Sequence, residues 1–305
     1  MSQTRLPPLA AVRAFEAAAR LGNFTRAADE LGMSQAAVSY QVKLLKERLG
    51  TALFLRLPRR VVLTDTGRRL SLAVTEAFDA LHVAFAALDD RAQSMLRISA
   101  MHSFAANWLA PRIGEFQLSH PELGVRVDLD DRMIDFAREE IDVGIRSGIG
   151  DWPGLEAQRL WRVRFAPMCS PALAATLGPA PTPADLLRLP LLSPNDSWWA
   201  EWFGLAGVDA GALAGRTGIR ADSQQLEGRA ALAGHGVAIV TPELWAPDIA
   251  AGRLVQPFSL VGTGQSSYWL VYPRARRNAP KIRLFREWLQ EQARPLLKAE
   301  QETGT

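Results

Sequence analysis

The sequence is poor in the residues that build disulfides and metal centres. Its 305 residues include one cysteine and four histidines. Cys169 has no partner for an intrachain disulfide, so a reducing compartment is expected. The histidines are scattered and no CxxC pair is present, so we expect neither a metal site nor a cofactor.

Long apolar runs and catalytic fingerprints are missing as well. No uninterrupted apolar stretch approaches the roughly 20 residues that span a bilayer. Arg13 and Glu16 interrupt the first apolar segment, where a signal peptide needs a continuous core. We therefore expect a cytoplasmic protein. The sequence lacks GxxxxGKS/T, GxSxG and HExxH motifs, and Pro153 with the missing strand–GxGxxG–helix spacing excludes a dinucleotide fingerprint, so an enzyme is not expected.

What the sequence does have is a basic surplus confined to its beginning. Residues 1–64 hold ten lysines and arginines against four acids, a net charge of +6. The remaining residues hold 25 basic against 28 acidic side chains, a net charge of −3. A basic surplus placed in this way suits a module that binds phosphates.

The stretch Thr25–Leu49 predicts two short helices that meet at Gly32, which supplies the left-handed backbone that ends the first. Ser34 is expected to cap the second helix. One face of that helix is apolar and predicted to be buried: Val38, Val42, Leu45 and Leu49. The opposite face carries Gln35, Ala36, Ser39, Tyr40 and Lys43. A helix–turn–helix with such a face is typical of DNA binding, and a helical hairpin inside a larger core is the alternative.

The segment LFLRLPRRVVLT, which follows, predicts two short strands at Leu53–Leu55 and Val61–Leu63. The turn between them contains Arg56, Arg59 and Arg60. A basic hairpin directly after a helix–turn–helix is interpreted as a wing whose arginines reach phosphates or the minor groove. A solvated turn is the alternative, and the position in the chain favours the wing.

A proline-free run from Thr64 to about Arg91 predicts one helix of about 26 residues. Its apolar residues recur at spacings of three and four and form a predicted dimerisation stripe: Leu70, Val74, Ala77, Phe78, Leu81, Phe85 and Leu88. The helix is too long to pack wholly on the preceding domain, so pairing with a second copy is favoured over a core helix within one chain. A dimer also places two recognition helices on two half-sites.

Beyond Arg91 the pattern changes to strands that alternate with helices. The predicted strands are 96–99, 125–129, 141–145, 162–167, 191–192, 237–240 and 268–272. The predicted helices are 108–118, 133–139 and 279–297. This βαβ rhythm predicts an α/β domain with a parallel sheet.

The chain resembles the LysR-type transcriptional regulators, within the branch of the glycine-cleavage activator and the β-lactamase regulator. The resemblance is carried by LAAVRAFEAAARLGNFTRAADELGMSQAAVSYQVKLLKERLGTALFLR and LTDTG, and by IDVGIRSGIGDWPGL, CSPAL, WWAEWF and AALAGHGVAIV in the second half. It implies an N-terminal all-α winged helix–turn–helix with a long linker helix. It also implies a C-terminal α/β effector domain of two Rossmann-like subdomains, similar to periplasmic binding proteins. The implied bounds are 1–64, 65–92 and 93–305, with subdomain I at 95–163 and 267–305 and subdomain II at 164–266.

The resemblance also implies a function. Such regulators bind promoter DNA as homodimers or homotetramers, respond to a small-molecule effector and act through RNA polymerase. The DNA-contacting positions that it implies are Ser34, Gln35, Ala36, Ser39, Tyr40, Lys43, Arg56, Arg59 and Arg60. Position 36 is often proline in the family and position 40 is often arginine. Because Tyr40 has no charge, the operator sequence cannot be carried over.

Candidate effector contacts lie where strands end and helices begin, since free amides there attract anions. The candidates at such positions are Met101, His102, Ser103, Arg146, Asp222 and Ser223. Trp152 and Trp198 are candidate walls of the cleft, and the resemblance implies Tyr268, at the crossing between the subdomains, as a ligand contact. Ser103, Ser223 and Arg146 are expected to converge on a carboxylate-bearing, amino-acid-like effector. The serines as plain helix caps, Arg146 as a structural ion pair and Trp198 as a packing residue are the alternatives. For the whole chain, the alternatives are a DNA-binding protein without an effector and a solute-binding protein, although the latter lacks a basic N-terminal module.

Overall fold

The computed structural model describes residues 6–57, 60–86, 94–136 and 138–303. These residues form two compact units, one largely within residues 6–86 and the other largely within residues 94–303. Across the described ranges, no helix is long and apolar enough to cross a lipid bilayer.

The first unit begins with three helices, α1 (Leu9–Leu21), α2 (Phe24–Leu31) and α3 (Gln35–Leu49). Asn23 caps α2, because its Oδ1 accepts the amide N–H of Thr25 at 2.8 Å. Ser34 caps α3 as predicted, accepting the N–H of Ala37 at 3.2 Å. Gly32 has a φ of 63° and ends α2 in the left-handed region, also as predicted. The turn of the helix–turn–helix is therefore set by one glycine, Gly32, and one capping side chain, Ser34.

A two-stranded antiparallel hairpin follows, β1 (Phe54–Leu57) and β2 (Arg60–Leu63), with Leu57 paired to Arg60. The predicted hairpin is confirmed, but its strands are longer than expected. Arg56 and Arg60 belong to the strands and not to the turn, because the ladder continues to the Leu57–Arg60 pair. Arg59 lies outside the described residues.

Helix α4 (Asp65–Ala86) is preceded by Thr64, whose Oγ1 accepts the N–H of Gly67 at 3.0 Å and caps the helix. The predicted helix extends to about residue 91, and residues 87–93, Leu88 among them, lie outside the described part. The predicted stripe is buried at one end only. Leu70 packs against the core of the first unit, whereas Leu81 and Phe85 are 43% and 69% exposed. Between these ends Val74 and Phe78 are half-buried and Ala77 is exposed.

The second unit contains a six-stranded sheet. Its strands are β3 (Met95–Ala100), β4 (Gly124–Leu129), β5 (Val143–Gly148), β6 (Leu155–Met168), β7 (Ala238–Val240) and β8 (Gly262–Pro273). They lie in the order β4-β3-β5-β8-β6-β7. Strand β3 is parallel to β4 and β5, whereas β5 pairs antiparallel with β8 and β6 pairs antiparallel with β7. The prediction of a parallel sheet was therefore wrong: the sheet is mixed, because β8 returns to the middle of the sheet in the opposite direction.

Helical segments surround this sheet. The first, α5, begins as a short turn (His102–Phe104), passes through a π-helical turn (Ala105–Leu109) and ends as α-helix (Ala110–Ser119). The others are α6 (Pro171–Ala175), α7 (Ser197–Leu205), α8 (Gln224–Leu232), α9 (Ala246–Ala250) and α10 (Pro280–Thr303). Short 3₁₀ turns lie at Pro183–Arg188, Ala210–Leu213, Pro242–Leu244 and Arg274–Arg276.

The helix predicted at 133–139 is wrong for the described residues of that range. Ile134 and Phe136 are buried while Met133 is 56% exposed, which is the alternation of extended chain. The segment then closes one turn, in which the N–H of Asp135 donates to Oε1 of Glu139 at 3.0 Å. The strand predicted at 191–192 is reduced to an isolated parallel bridge from residue 191 to residue 237.

Candidate functional site

The outer face of α3 carries the side chains that the sequence analysis selected. Gln35, Ala36, Ser39, Tyr40 and Lys43 are all exposed, and Tyr40 retains 59% of its accessible surface. The inner face is buried through Val38, Val42 and Leu45. Leu49 is 42% exposed, so its predicted place in the core is wrong, because α3 ends at Gly50 before the core closes over it.

A groove of about 570 Å³ runs between α3 and the hairpin. Ser39, Lys43 and Lys46 line its helical side, and Leu55 and Val61 line its hairpin side. Lys43 also lies 3.7 Å from the carboxylate of Glu47 in an exposed ion pair, which contributes little to stability. Lys46 is not among the predicted DNA contacts, although its spacing of three from Lys43 and seven from Ser39 places it on the same face.

In the second unit, two serines from distant parts of the chain meet across a cleft. The hydroxyl oxygens of Ser103 and Ser223 are 3.5 Å apart. They line a cavity of about 210 Å³. Of the nine predicted effector contacts, the cavity brings together six: Met101, Ser103, Trp198, Asp222, Ser223 and Tyr268.

The two serines have different local roles. Ser223 is the N-cap of α8, and its Oγ accepts the N–H of Gln225 at 3.1 Å. Ser103 is not a cap, because the capping position of α5 is Met101, which makes no side-chain cap bond. The alternative that Ser103 is a plain helix cap is therefore wrong, and its hydroxyl lines the cleft from the first turn of α5.

Tyr268 forms part of the cavity wall and is almost completely buried. Its hydroxyl lies 3.5 Å from Oγ1 of Thr241, a residue that the sequence analysis did not select. Burial raises the pKa of Tyr268 to about 12, so the phenol keeps its proton at neutral pH. It can donate that proton to a ligand oxygen or to Thr241.

Trp198 supplies an aromatic wall. Its ring stacks on Phe165 with centroids 5.0 Å apart and planes inclined by 9°. The neighbouring Trp199 is fully buried and donates from Nε1 to the backbone oxygen of Leu192 at 2.9 Å. The two adjacent tryptophans thus divide between the cavity and the core.

Arg146 does not join the serines, so the predicted convergence is wrong in this respect. Its side chain is buried, and its Nη2 donates to Oγ of Ser99 at 2.7 Å. Nη1 donates to the backbone oxygens of Ser99 and Ile145, and Nε donates to that of Arg132 at 2.8 Å. The guanidinium therefore ties β3 and β5 to the loop after β4.

His102 and Trp152 are likewise absent from the described lining of the cavity. The backbone N–H of His102 donates to Oδ1 of Asp131 at 3.1 Å, and its ring nitrogen Nδ1 lies 3.3 Å from Oδ2. Trp152 packs edge-on against Trp269 with centroids 6.1 Å apart. His102 thus contacts a lining residue, Asp131, whereas Trp152 contacts Trp269, which is not among the described lining residues.

Glu227 is the site residue that sequence reasoning missed. It lines the cavity with only 4% of its surface exposed. Burial raises its pKa to about 7, the hydroxyl of Ser193 partly offsets this effect, and the charge of Asp196 adds to it. Its position one turn after Ser223 on α8 was the available signal, since residues four apart share a helix face.

A basic helix–turn–helix with an exposed polar face, joined in one chain to a mixed-sheet unit that holds a polar cleft, defines a DNA-binding regulator with a ligand-binding module. Two family models match the chain. The bacterial regulatory helix-turn-helix protein of the lysR family matches residues 9–68, and the LysR substrate binding domain matches residues 89–294. The chain belongs to the LysR family of transcriptional regulators.

Relatives of known function agree with this assignment. The chain is 40% identical over 293 residues to the transcriptional activator AmpR of Pseudomonas aeruginosa, covering 94% of this chain and 96% of the relative. It is 37% identical over 292 residues to the glycine cleavage system transcriptional activator of Escherichia coli K12, covering 93% of each. The solved effector domain of P. aeruginosa AmpR matches 68% of this chain and 98% of its own length at 32% identity, with a TM-score of 0.59. Members of this family are regulators and not enzymes, bind DNA and small effectors, and are oligomeric.

Proposed function

We propose that this regulator acts in the cytoplasm on promoter DNA as a homodimer or homotetramer. A small effector, anionic or amino-acid-like, binds in the cleft of the second unit and changes how the bound protein engages RNA polymerase. The chain itself catalyses no reaction. The division into residues 1–64 for DNA binding, 65–92 for dimerisation and 93–305 for effector binding is part of this proposal.

One observation carries the assignment of the effector site: the hydroxyls of Ser103 and Ser223 lie 3.5 Å apart although 120 residues separate them. Both face a cavity, beside the buried phenol of Tyr268 and the stacked ring of Trp198. A ligand there can bond to groups on α5 and α8 at once. Met101, Ser103, Trp198, Asp222, Ser223 and Tyr268 are the proposed contacts, and Arg146 positions the strand ends behind them.

The effector site is tested by a metabolite screen, followed by substitutions of the two serines. A ligand that binds the native state raises the unfolding temperature. For such a ligand, Ser103→Ala should weaken binding about two- to ten-fold, since one hydrogen bond contributes about 0.5–1.5 kcal/mol. Ser223→Asn provides a second variant that retains the capping oxygen of α8.

The matched control is Ser119→Ala on the same helix α5, where the hydroxyl donates to the backbone oxygen of Glu115 at 2.9 Å. Calorimetry should give wild-type affinity for this control. A ligand whose dissociation constant is unchanged in both Ser103→Ala and Ser223→Asn contradicts the assignment.

The DNA face is tested on the promoter fragment upstream of the chain's own gene. The proposed contacts are Ser34 at the start of α3, Gln35, Ala36, Ser39, Tyr40 and Lys43 on α3, and Arg56 and Arg60 in the hairpin strands. Arg59, between these two arginines in the sequence, is proposed as well. Ser39→Ala should weaken binding about two- to ten-fold through one lost hydrogen bond. Lys43→Ala should weaken it and reduce the slope of log affinity against log salt by about 1.

Lys298→Ala is the matched control, because it removes the same charge from an exposed position on α10 of the second unit. It should leave both the affinity and the salt slope unchanged. Fluorescence anisotropy that shows wild-type affinity for Ser39→Ala and Lys43→Ala together removes α3 from the DNA interface.

A further inference from the structure

The wall of the effector cavity is acidic. Four carboxylate side chains line it: Asp131, Asp196, Asp222 and Glu227. Among the described lining residues there is no lysine, arginine or histidine. The remaining polar groups of the wall are hydroxyls and an amide, which carry no charge. The side chains that line the cavity therefore give it a negative electrostatic potential, which favours a cationic group.

Two of these acids already have partners within the protein. Asp131 accepts the backbone N–H of His102, and Asp196 caps α7 by accepting the N–H of Trp198 at 2.9 Å. Glu227 is satisfied only in part, because the hydroxyl of Ser193 interacts with its carboxylate but one carboxylate oxygen, Oε2, is buried and has no hydrogen-bond partner among the described residues. A buried carboxylate with an unused oxygen is costly unless a cation or a donor satisfies it.

Glu227 lies on the wall of the ligand site. Glu227 follows Ser223 by one turn of α8, so the two side chains share the face that lines the cavity. A ligand held between the hydroxyls of Ser103 and Ser223 lies beside Glu227. Trp198 and Met101 supply apolar surface on the same wall.

We propose that the effector carries a primary ammonium group, which pairs with the carboxylate of Glu227, while the hydroxyls of Ser103 and Ser223 hold a second polar group of the same molecule. This inference rests on the proposed function of the cleft as the effector site. The cavity of about 210 Å³ lies below the roughly 300–1,000 Å³ of sites for drug-sized ligands, so the ligand is of amino-acid to dipeptide size.

The ligand class is tested with probes that share one shape and differ in charge. They are the amide, the free acid and the N-acetyl form of leucine and of glycylleucine. The amides carry only the ammonium, the acids carry both charges and the N-acetyl forms carry only the carboxylate. The full-length wild type is titrated by calorimetry with each probe at pH 7, beside Glu227→Gln and the control Glu201→Gln, which removes an exposed carboxylate on α7.

We expect the amides and free acids to bind the wild type and Glu201→Gln. Glu227→Gln should bind them about ten- to a hundred-fold more weakly, the range of one charge-assisted hydrogen bond. Heats measured in two buffers of different ionisation enthalpy should show proton release from the wild type, because an ammonium drives the proton off Glu227. Glu227→Gln should release fewer protons.

If the N-acetyl forms bind more strongly than the amides, or if binding takes up protons, the proposal is overturned and the cleft remains the site of an anionic effector. The absence of binding by every amine probe also overturns it. Unchanged affinity in Glu227→Gln overturns it as well. The serine variants described above decide separately whether the cleft binds an effector at all, so the two failures are distinguishable.

Discussion

Glu227 allows the electrostatics of the cleft to be tested with no ligand present. Burial raises the pKa of this side chain from 4.5 in the free residue to about 7 in the folded protein. Each pKa unit corresponds to about 1.4 kcal/mol. The folded protein therefore holds the proton more tightly than the unfolded chain, by about 3 kcal/mol. This stabilisation is fully present below pH 4.5 and is lost as the pH rises through about 7.

Replacing Glu227 by glutamine removes the titration. Glutamine is neutral at every pH and has nearly the same shape as the protonated acid. The free energy of unfolding of Glu227→Gln should therefore equal that of the wild type near pH 4.5 and exceed it by about 3 kcal/mol at pH 8. A gain in stability at high pH distinguishes Glu227 from an acid that is paired with a base, because removing a paired acid destabilises the protein at high pH.

The assay is equilibrium urea unfolding of the full chain at pH 5, 6, 7 and 8, with Glu201→Gln as the control. The difference between Glu227→Gln and the wild type should grow with pH, and Glu201→Gln should show no such trend. A difference that stays constant within about 1 kcal/mol over this range refutes the reasoning. An increase of the same size in the free energy of unfolding of Glu201→Gln relative to the wild type also refutes it.

Two further predictions concern packing and assembly. Gly228→Ala should lower the free energy of unfolding by about 1–3 kcal/mol or more, because its Cβ would lie 2.0 Å from Cζ2 of Trp245; thermal unfolding measures the loss. Leu81→Ser combined with Phe85→Ser should convert dimers to monomers in sedimentation experiments at fixed concentration. Leu72, as exposed as Leu81, lies on the opposite face of α4, so Leu72→Ser should leave the dimer intact. Loss of the dimer in Leu72→Ser as well contradicts the prediction that the stripe forms the dimer interface.

The first unit could be predicted closely because its signals are local. Ser34 and Gly32 act within one helical turn, and the three-and-four spacing of Val38, Val42 and Leu45 fixes the buried face of α3. Leu49 was misassigned because helical spacing carries no information on where the core ends. Arg56 and Arg60 were placed in the turn because strand length depends on cross-strand pairing, which a single segment does not show.

The cleft could be predicted only in part. Ser103 and Ser223 were recognised from the rule that ligands bind at strand ends and helix N-termini. Arg146 occupies such a strand end too, but its guanidinium donates to three backbone oxygens and to the hydroxyl of Ser99. Whether an arginine at a strand end binds these groups or a ligand depends on tertiary packing, which the sequence pattern does not show. Glu227 was missed because an acid inside a helix is usually exposed, and only the assembled fold buries it.

The nine tryptophans have a consequence for measurement. The first along the sequence is Trp108, so every one belongs to the part of the chain that follows the DNA-binding and linker segments. Tryptophan fluorescence therefore reports selectively on the ligand-binding half. Because Trp198 lies on the cavity wall, its emission should change when a ligand binds there. The half that holds α3 contributes nothing to this signal. One tryptophan introduced on α3 would give the DNA-binding half its own fluorescent reporter. The background would come only from the nine native tryptophans of the other half.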